Sequence, residues 1–157
     1  MEMLLWLEQT WLGVFVRESD SILGYPTVLF LHTVGLATVA GLSAALDLRV
    51  LGFARRVPLA ALTPFITVIW VGFGVAAASG IALLVADVSK LRSPVFYVKL
   101  ALVALALVIL QRLTRRVFRN PLAERSPLSR EVQVLAVSSL LFWAGATTAG
   151  RLMAYLG

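Results

Sequence analysis

The 157-residue chain contains no cysteine and a single histidine, His32, and only 14% of its residues are charged. Without cysteine there can be no disulfide, thiolate nucleophile or iron–sulfur cluster. One histidine excludes the usual two- and three-histidine zinc and copper sites within one chain. Soluble enzyme motifs are also missing. There is no phosphate-binding glycine loop and no nucleophile–histidine–acid arrangement. "GFGVAAASG" lies inside an apolar run and so is no dinucleotide fingerprint. The opening "MEMLLWLEQTWLGVF" has neither a basic start nor a small-residue cleavage site, which argues against a secretory signal. Low-complexity segments and internal repeats are not apparent.

Apolar sequence is abundant. Hydrophobic residues make up 60% of the chain and the mean hydropathy is +0.91. A soluble domain carries about 25% charged residues, so the composition predicts an integral membrane protein. The length suits one bundle with no separate soluble domain. A net charge of +6 and a pI near 10.8 do not point to nucleic acid, because the basic residues lie between apolar spans. Anionic lipid headgroups and topology account for them.

A membrane-spanning helix needs about 20 mostly apolar residues. Four stretches qualify: about 25–46, 62–86, 94–113 and 132–156. The fold expected is an all-α, integral membrane four-helix bundle. Residues 1–18 carry Glu2, Glu8 and Gln9 beside Trp6, Trp11 and Phe15, which predicts an N-terminal amphipathic helix lying at the membrane interface. Basic residues crowd the first connection (Arg49, Arg55, Arg56) and the third (Arg112, Arg115, Arg116, Arg119, Arg125, Arg130). Cytoplasmic loops carry that excess. The orientation expected in a bacterial inner membrane therefore has both termini facing outward. Small residues recur every four positions in span one (Ala37, Gly41, Ala45) and span two (Gly72, Ala76, Gly80), a spacing that permits close helix packing.

Ionisable groups inside the spans are costly and mark candidate sites. At 1.5 Å per residue, His32 lies roughly 9 Å below the outer end of span one, and Lys99 and Arg151 fall at about the same level in spans three and four. Three basic groups sharing one level call for an anionic partner. Haem b fits: an iron for His32, and propionates for Lys99 and Arg151. Gly35, Gly80 or Gly150 would let a flat macrocycle approach backbone, and Thr147 and Thr148 place hydroxyls beside Arg151. A quinone would be the natural redox partner. One histidine supplies one axial ligand, leaving the second position to Met153, to nothing, or to His32 of a second copy. The plainer reading makes His32 an interhelical hydrogen-bonding residue and lets Lys99 and Arg151 reach lipid headgroups. Asp47 and Arg49 are expected to form an ion pair at the cytoplasmic exit of span one; the alternative, a proton- or ion-coupling Asp47, has only Thr33, Thr38 and Ser43 as polar residues toward His32. Asp87, at the outer mouth of span two, is available to one of the three cations. Span three, "LALVALALVIL", is wholly apolar in its middle and argues against a transporter or channel with a wet centre.

The ordered set "VRES", "LHTVGLA", "DLRVLG", "SGIALLVA", "SPVFYVKLALV" and "AGRLMAYL" resembles an uncharacterised bacterial inner-membrane family of four-helix proteins, a domain of unknown function. More distantly the chain resembles the membrane haem proteins of the cytochrome b561 and copper-resistance-D type. That likeness implies haem b held by histidines near one membrane face, although those proteins draw more than one histidine from the bundle. The function expected is a haem-b-binding or quinone-linked electron-transfer subunit, oligomeric or part of a larger complex. The alternative is a non-redox accessory subunit that binds lipid.

Overall fold

Three prolines sit where the spanning helices begin. Pro26, Pro64 and Pro94 each occupy the first turn of a helix, where the missing N–H costs nothing and the fixed φ suits the helix. A computed structural model describes residues 9–18, 22, 24–118 and 129–156. In it α1 spans Trp11–Glu18, α2 Tyr25–Val50, α3 Thr63–Ala86, α4 Pro94–Leu113 and α5 Arg130–Leu156. A 3₁₀ turn, Leu59–Leu62, leads into α3, a second one, Val88–Arg92, joins α3 to α4, and a π-helical turn, Thr114–Phe118, ends α4. Among the described residues, four helices are long and apolar enough to cross a membrane. The protein is thus an all-α four-helix bundle with the composition of a multi-pass membrane protein.

Neighbouring helices run antiparallel. Along α2, His32 meets Ala76 and Gly80, Gly35 meets Ala76 and Gly72, and Thr38 meets Gly72. Along α4, Lys99 meets Gly150 and Leu102 meets Gly145. The α2–α3 and α4–α5 pairs join through α2 and α5, and α1 lies against α3. Val39, Leu46, Leu62, Ile69, Ala106, Leu110 and Trp143 form a shared core, extended at the far end by Val50, Leu113, Val117 and Ala136. The helices are only sparsely enclosed: 17% of the apolar window of α2 is buried in the protein, against 33% for α5. Lipid is as apolar as leucine, so this bundle is held by close packing and interhelical hydrogen bonds more than by hydrophobic expulsion.

The α2–α3 crossing shows that close packing. A Cβ built on Gly35 would lie 2.9 Å from both Ala76 N and Gly72 O. Glycine is required there because another helix's backbone occupies the space. The small residues of α3 serve as expected, but their partner on α2 is Gly35. Gly41 faces open space, with nothing within 4 Å of a Cβ. The Ala37–Gly41–Ala45 stripe is therefore not the packing face. Its four-residue period is real but points outward.

Helix α2 runs one turn beyond the expected end at Leu46. Leu46, Asp47 and Val50 are buried, so the helix continues until its inward stripe is used. Gly52, at φ +101°, then turns the chain, and the Arg49 guanidinium ties down the loop by donating to Val57 O at 2.6 Å and Arg55 O at 3.4 Å. Arg116 and Glu131 pair at 2.5 Å, linking the end of α4 to the start of α5. In α1, Trp11 and Phe15 stack at 5.5 Å on the exposed face while Val16 is buried, an amphipathic pattern. The Met1–Glu8 part of the expected interfacial helix lies outside the described residues, as do Arg119 and Arg125.

Candidate functional site

His32 projects from the second turn of α2 toward α3. Its Nδ1 lies 2.8 Å from the Ala76 carbonyl oxygen and 3.3 Å from Ser79 Oγ. A carbonyl can only accept, so Nδ1 carries the proton and donates. Ser79 Oγ in turn donates to Val75 O at 2.6 Å. The neutral ring therefore has its lone pair on Nε2. This is the arrangement in which a histidine ligates a metal or accepts a proton, because the second nitrogen's hydrogen bond fixes tautomer and ring plane. Gly80 packs beneath the ring, and a Cβ there would approach His32 Cε1 to 3.0 Å.

Lys99, in the second turn of α4, is half-buried. Its chain runs beside Gly150 of α5, where an added Cβ would sit 3.8 Å from Nζ. It lies close enough to His32 for its charge to act on the imidazole. His32 and Lys99 thus share one end of the bundle, each held against a different neighbour. Arg151 follows Gly150 on α5 and is exposed at the bundle surface.

Other candidates have different partners. Gly35 is filled by the α3 backbone and offers no berth for a flat ligand. Thr147 and Thr148 are exposed and donate to their own helix, to Trp143 O and Ala144 O, each at 2.9 Å. Asp87 does not serve the cationic trio. It caps the 3₁₀ turn by accepting from the Ser89 amide at 3.1 Å and from the Ser89 hydroxyl, and it pairs with Lys90 at 3.6 Å. The Ser89 hydroxyl, helped by Lys90 and the Ser89 amide against the effect of partial burial, holds Asp87 below the usual carboxylate range.

Comparison of the chain with known protein families, curated proteins and solved structures gives no match. The reading of the site therefore rests on its own geometry.

The expected Asp47–Arg49 ion pair does not form. Asp47 is 1% exposed and faces α5, where Ser139 approaches its carboxylate, while Arg49 is committed to the loop carbonyls. Residues two apart on a helix lie on different faces, so one turns inward and the other outward. Sequence reasoning missed two groups. Ser79, the polar residue behind His32, stands among the small residues of "GFGVAAASG" with nothing local to mark it. Ser139 and Trp143 share the interior with Asp47 and Ser43, and the sequence reading does not single them out. The signal for the latter was the spacing: Ser43 and Asp47 are four apart on α2, as Ser139 and Trp143 are on α5.

Proposed function

We propose that the chain is an electron-transfer subunit of a bacterial inner membrane, binding haem b or engaging a quinone at His32 near the outer face. The observation carrying this reading is the His32 Nδ1–Ala76 O hydrogen bond of 2.8 Å. It presents Nε2 as an unprotonated, oriented nitrogen in a half-buried setting.

The residues present fit haem b through one axial ligand, His32, with Lys99 and Arg151 as cations for its propionates. Gly150 makes room for the Lys99 chain, whose Cε, Nζ and Cδ lie 3.7–3.9 Å from where a Cβ would be. A bound haem supplies a one-electron carrier. Met153, or His32 of a second copy in a homo-oligomer, would supply a further ligand to the iron. For a quinone, Nε2 accepts the hydrogen bond of a quinol hydroxyl and Lys99 donates to a quinone oxygen. The basic connections, Arg49–Arg55–Arg56 after α2 and Arg112–Arg115–Arg116 after α4, lie at the same end of the bundle and support a cytoplasmic position for it. The His32–Lys99 end and both termini then face outward. The family resemblance drawn from the sequence motifs remains part of this proposal.

A second reading has one observation in its favour. Exposed Arg151 beside half-buried Lys99 is also suited to a lipid phosphate. It makes the chain a colourless accessory subunit of a larger membrane complex. An absorption spectrum of protein purified after expression with ample haem separates the two. A Soret band lost in His32→Ala is the expected result for haem, and quinol-dependent quenching of Trp fluorescence lost in the same variant is the expected result for a quinone. Neither signal in the wild type, with co-purification of a larger assembly, overturns the redox reading. A Soret band that survives His32→Ala overturns the ligand assignment.

A further inference from the structure

At the opposite end of α2, 15 residues and roughly 22 Å from His32, four polar atoms are buried without a partner: Ser43 Oγ, Asp47 Oδ2, Ser139 Oγ and Trp143 Nε1. Their residues are 0%, 1%, 1% and 4% exposed. Two come from α2 and two from α5, each pair one helical turn apart. The two helices run antiparallel, so Asp47 stands level with Ser139, whose hydroxyl lies near its carboxylate without completing a hydrogen bond, and Ser43 stands level with Trp143. The result is one internal polar quartet in an otherwise apolar core.

The hydroxyls are the informative members. Elsewhere in the spans Thr33, Ser79, Thr147 and Thr148 donate back to the carbonyl one turn earlier. That easy route is equally open to Ser43 and Ser139, and neither takes it. Both are fully buried, each one helical turn from another unpaired group, Asp47 Oδ2 on α2 and the Trp143 N–H on α5. Buried polar groups in native proteins are almost always satisfied, and one ordered water with two to four polar partners is the usual means.

Charge demands more than water. Helix α3 has no charged residue. On α2, Arg49 is bound to the loop carbonyls. Arg112 of α4, Arg115 and Arg116 of the π turn, and Arg130 and Glu131 of α5 are exposed at the surface. No described cationic side chain stands against Asp47, and an isolated carboxylate in a low-dielectric interior is strongly disfavoured.

We propose that Ser43, Asp47, Ser139 and Trp143 form a monocation site, which holds one positive charge with ordered water inside the bundle. Asp47 supplies the balancing charge. Ser43 and Ser139 supply neutral oxygens. The Trp143 N–H, a donor only, binds the water or the second carboxylate oxygen and so keeps the carboxylate turned inward. The charge comes either as a proton shared with the water or as a sodium ion. The site is separate from His32 and does not depend on any ligand there.

Thermal unfolding of the purified full chain in detergent tests this, with wild type, Asp47→Asn and Ser139→Ala compared. One titration replaces choline with sodium at constant ionic strength. A second varies pH from about 5 to about 9 in choline. For sodium, the wild-type Tm rises on the order of 5 °C at saturation, Asp47→Asn shows no rise, and Ser139→Ala needs severalfold more sodium. For a proton, the wild-type Tm depends on pH without a sodium response, and Asp47→Asn is flat. A wild type that responds to neither titration, or responds as Asp47→Asn does, overturns the proposal. If Asp47→Asn fails to fold, a Ser139→Ala response identical to wild type overturns it instead.

Discussion

Gly35→Ala and Gly41→Ala are the same chemical change, 6 residues apart on one helix, and the structure gives them opposite signs. Carbon contacts are optimal at about 3.5–4.0 Å, whereas the new Cβ at position 35 would meet Ala76 N and Gly72 O at 2.9 Å and Ala76 Cβ at 3.0 Å. Two of those three atoms are backbone, so no side chain can swing aside. The helices must separate by roughly half an ångström or more, and overpacking of this kind costs about 1–3 kcal/mol. At position 41 the new methyl meets nothing within 4 Å. Only the helix preference operates there, and alanine is better than glycine by roughly 0.5–1 kcal/mol. Unfolding in mixed micelles of increasing SDS fraction, followed by far-UV circular dichroism, measures both. The midpoint should fall for Gly35→Ala and hold or rise for Gly41→Ala. Equal shifts, or a stabilised Gly35→Ala, would refute the close α2–α3 crossing. The same separation should loosen the His32–Ala76 hydrogen bond, whose donor lies one turn from Gly35, so ligand occupancy at His32 should fall with stability.

Two further outcomes test the site and its surroundings. Gly80→Ala meets only the imidazole, at 3.0 Å from Cε1 and 3.3 Å from Nδ1, so it should shift the ring while leaving the unfolding midpoint within about 0.5 kcal/mol of wild type. Its signature is a changed His32 ring resonance by NMR in an otherwise unperturbed spectrum, and a large loss of stability would argue against it. Asp87 is held below its ordinary value of 3.8 by Ser89 and Lys90. A depressed acid stabilises the fold above its unfolded value and ceases to do so as pH falls through the folded value. Hydrogen exchange at the Ser89 amide should therefore be protected at neutral pH and lose that protection only below about pH 3.8; Asp87→Asn should weaken it at neutral pH and remove its acid transition.

The architecture was legible where local chemistry decides it. Hydropathy located the four spans, with their starts within two residues of those observed, because a helix entry depends on a few adjacent residues. The ends were less legible. Helix α2 passes Asp47 because a buried stripe shared with α5 carries it on, and no local signal announces that partner. Depth was readable for His32 and Lys99 from simple rise per residue. Rotation about the helix axis was not, so Gly35 was assigned to a ligand cradle although it faces α3, and Asp47 was assigned to the surface although it faces inward. Asp87 was read as available to the basic trio, but its nearest donors are two and three residues along its own turn. Such local capping wins over a distant partner because it needs little ordering of the chain.

The sparse enclosure of the bundle has a consequence for how this sequence can vary. With 17% of the α2 window inside the protein, most of its leucines, valines and phenylalanines have acyl chains for neighbours. Exchanges among apolar types at Leu29, Phe30, Leu31 or Val34 should be silent. Intolerance should concentrate instead at small and polar positions: Gly35, Gly72 and Ala76 at the crossing, Ser79 behind His32, and the Ser43–Asp47–Ser139–Trp143 group. A saturation-mutagenesis map of this chain would then look inverted beside that of a soluble bundle, with glycine, serine and alanine as its fixed letters and leucine as its free one.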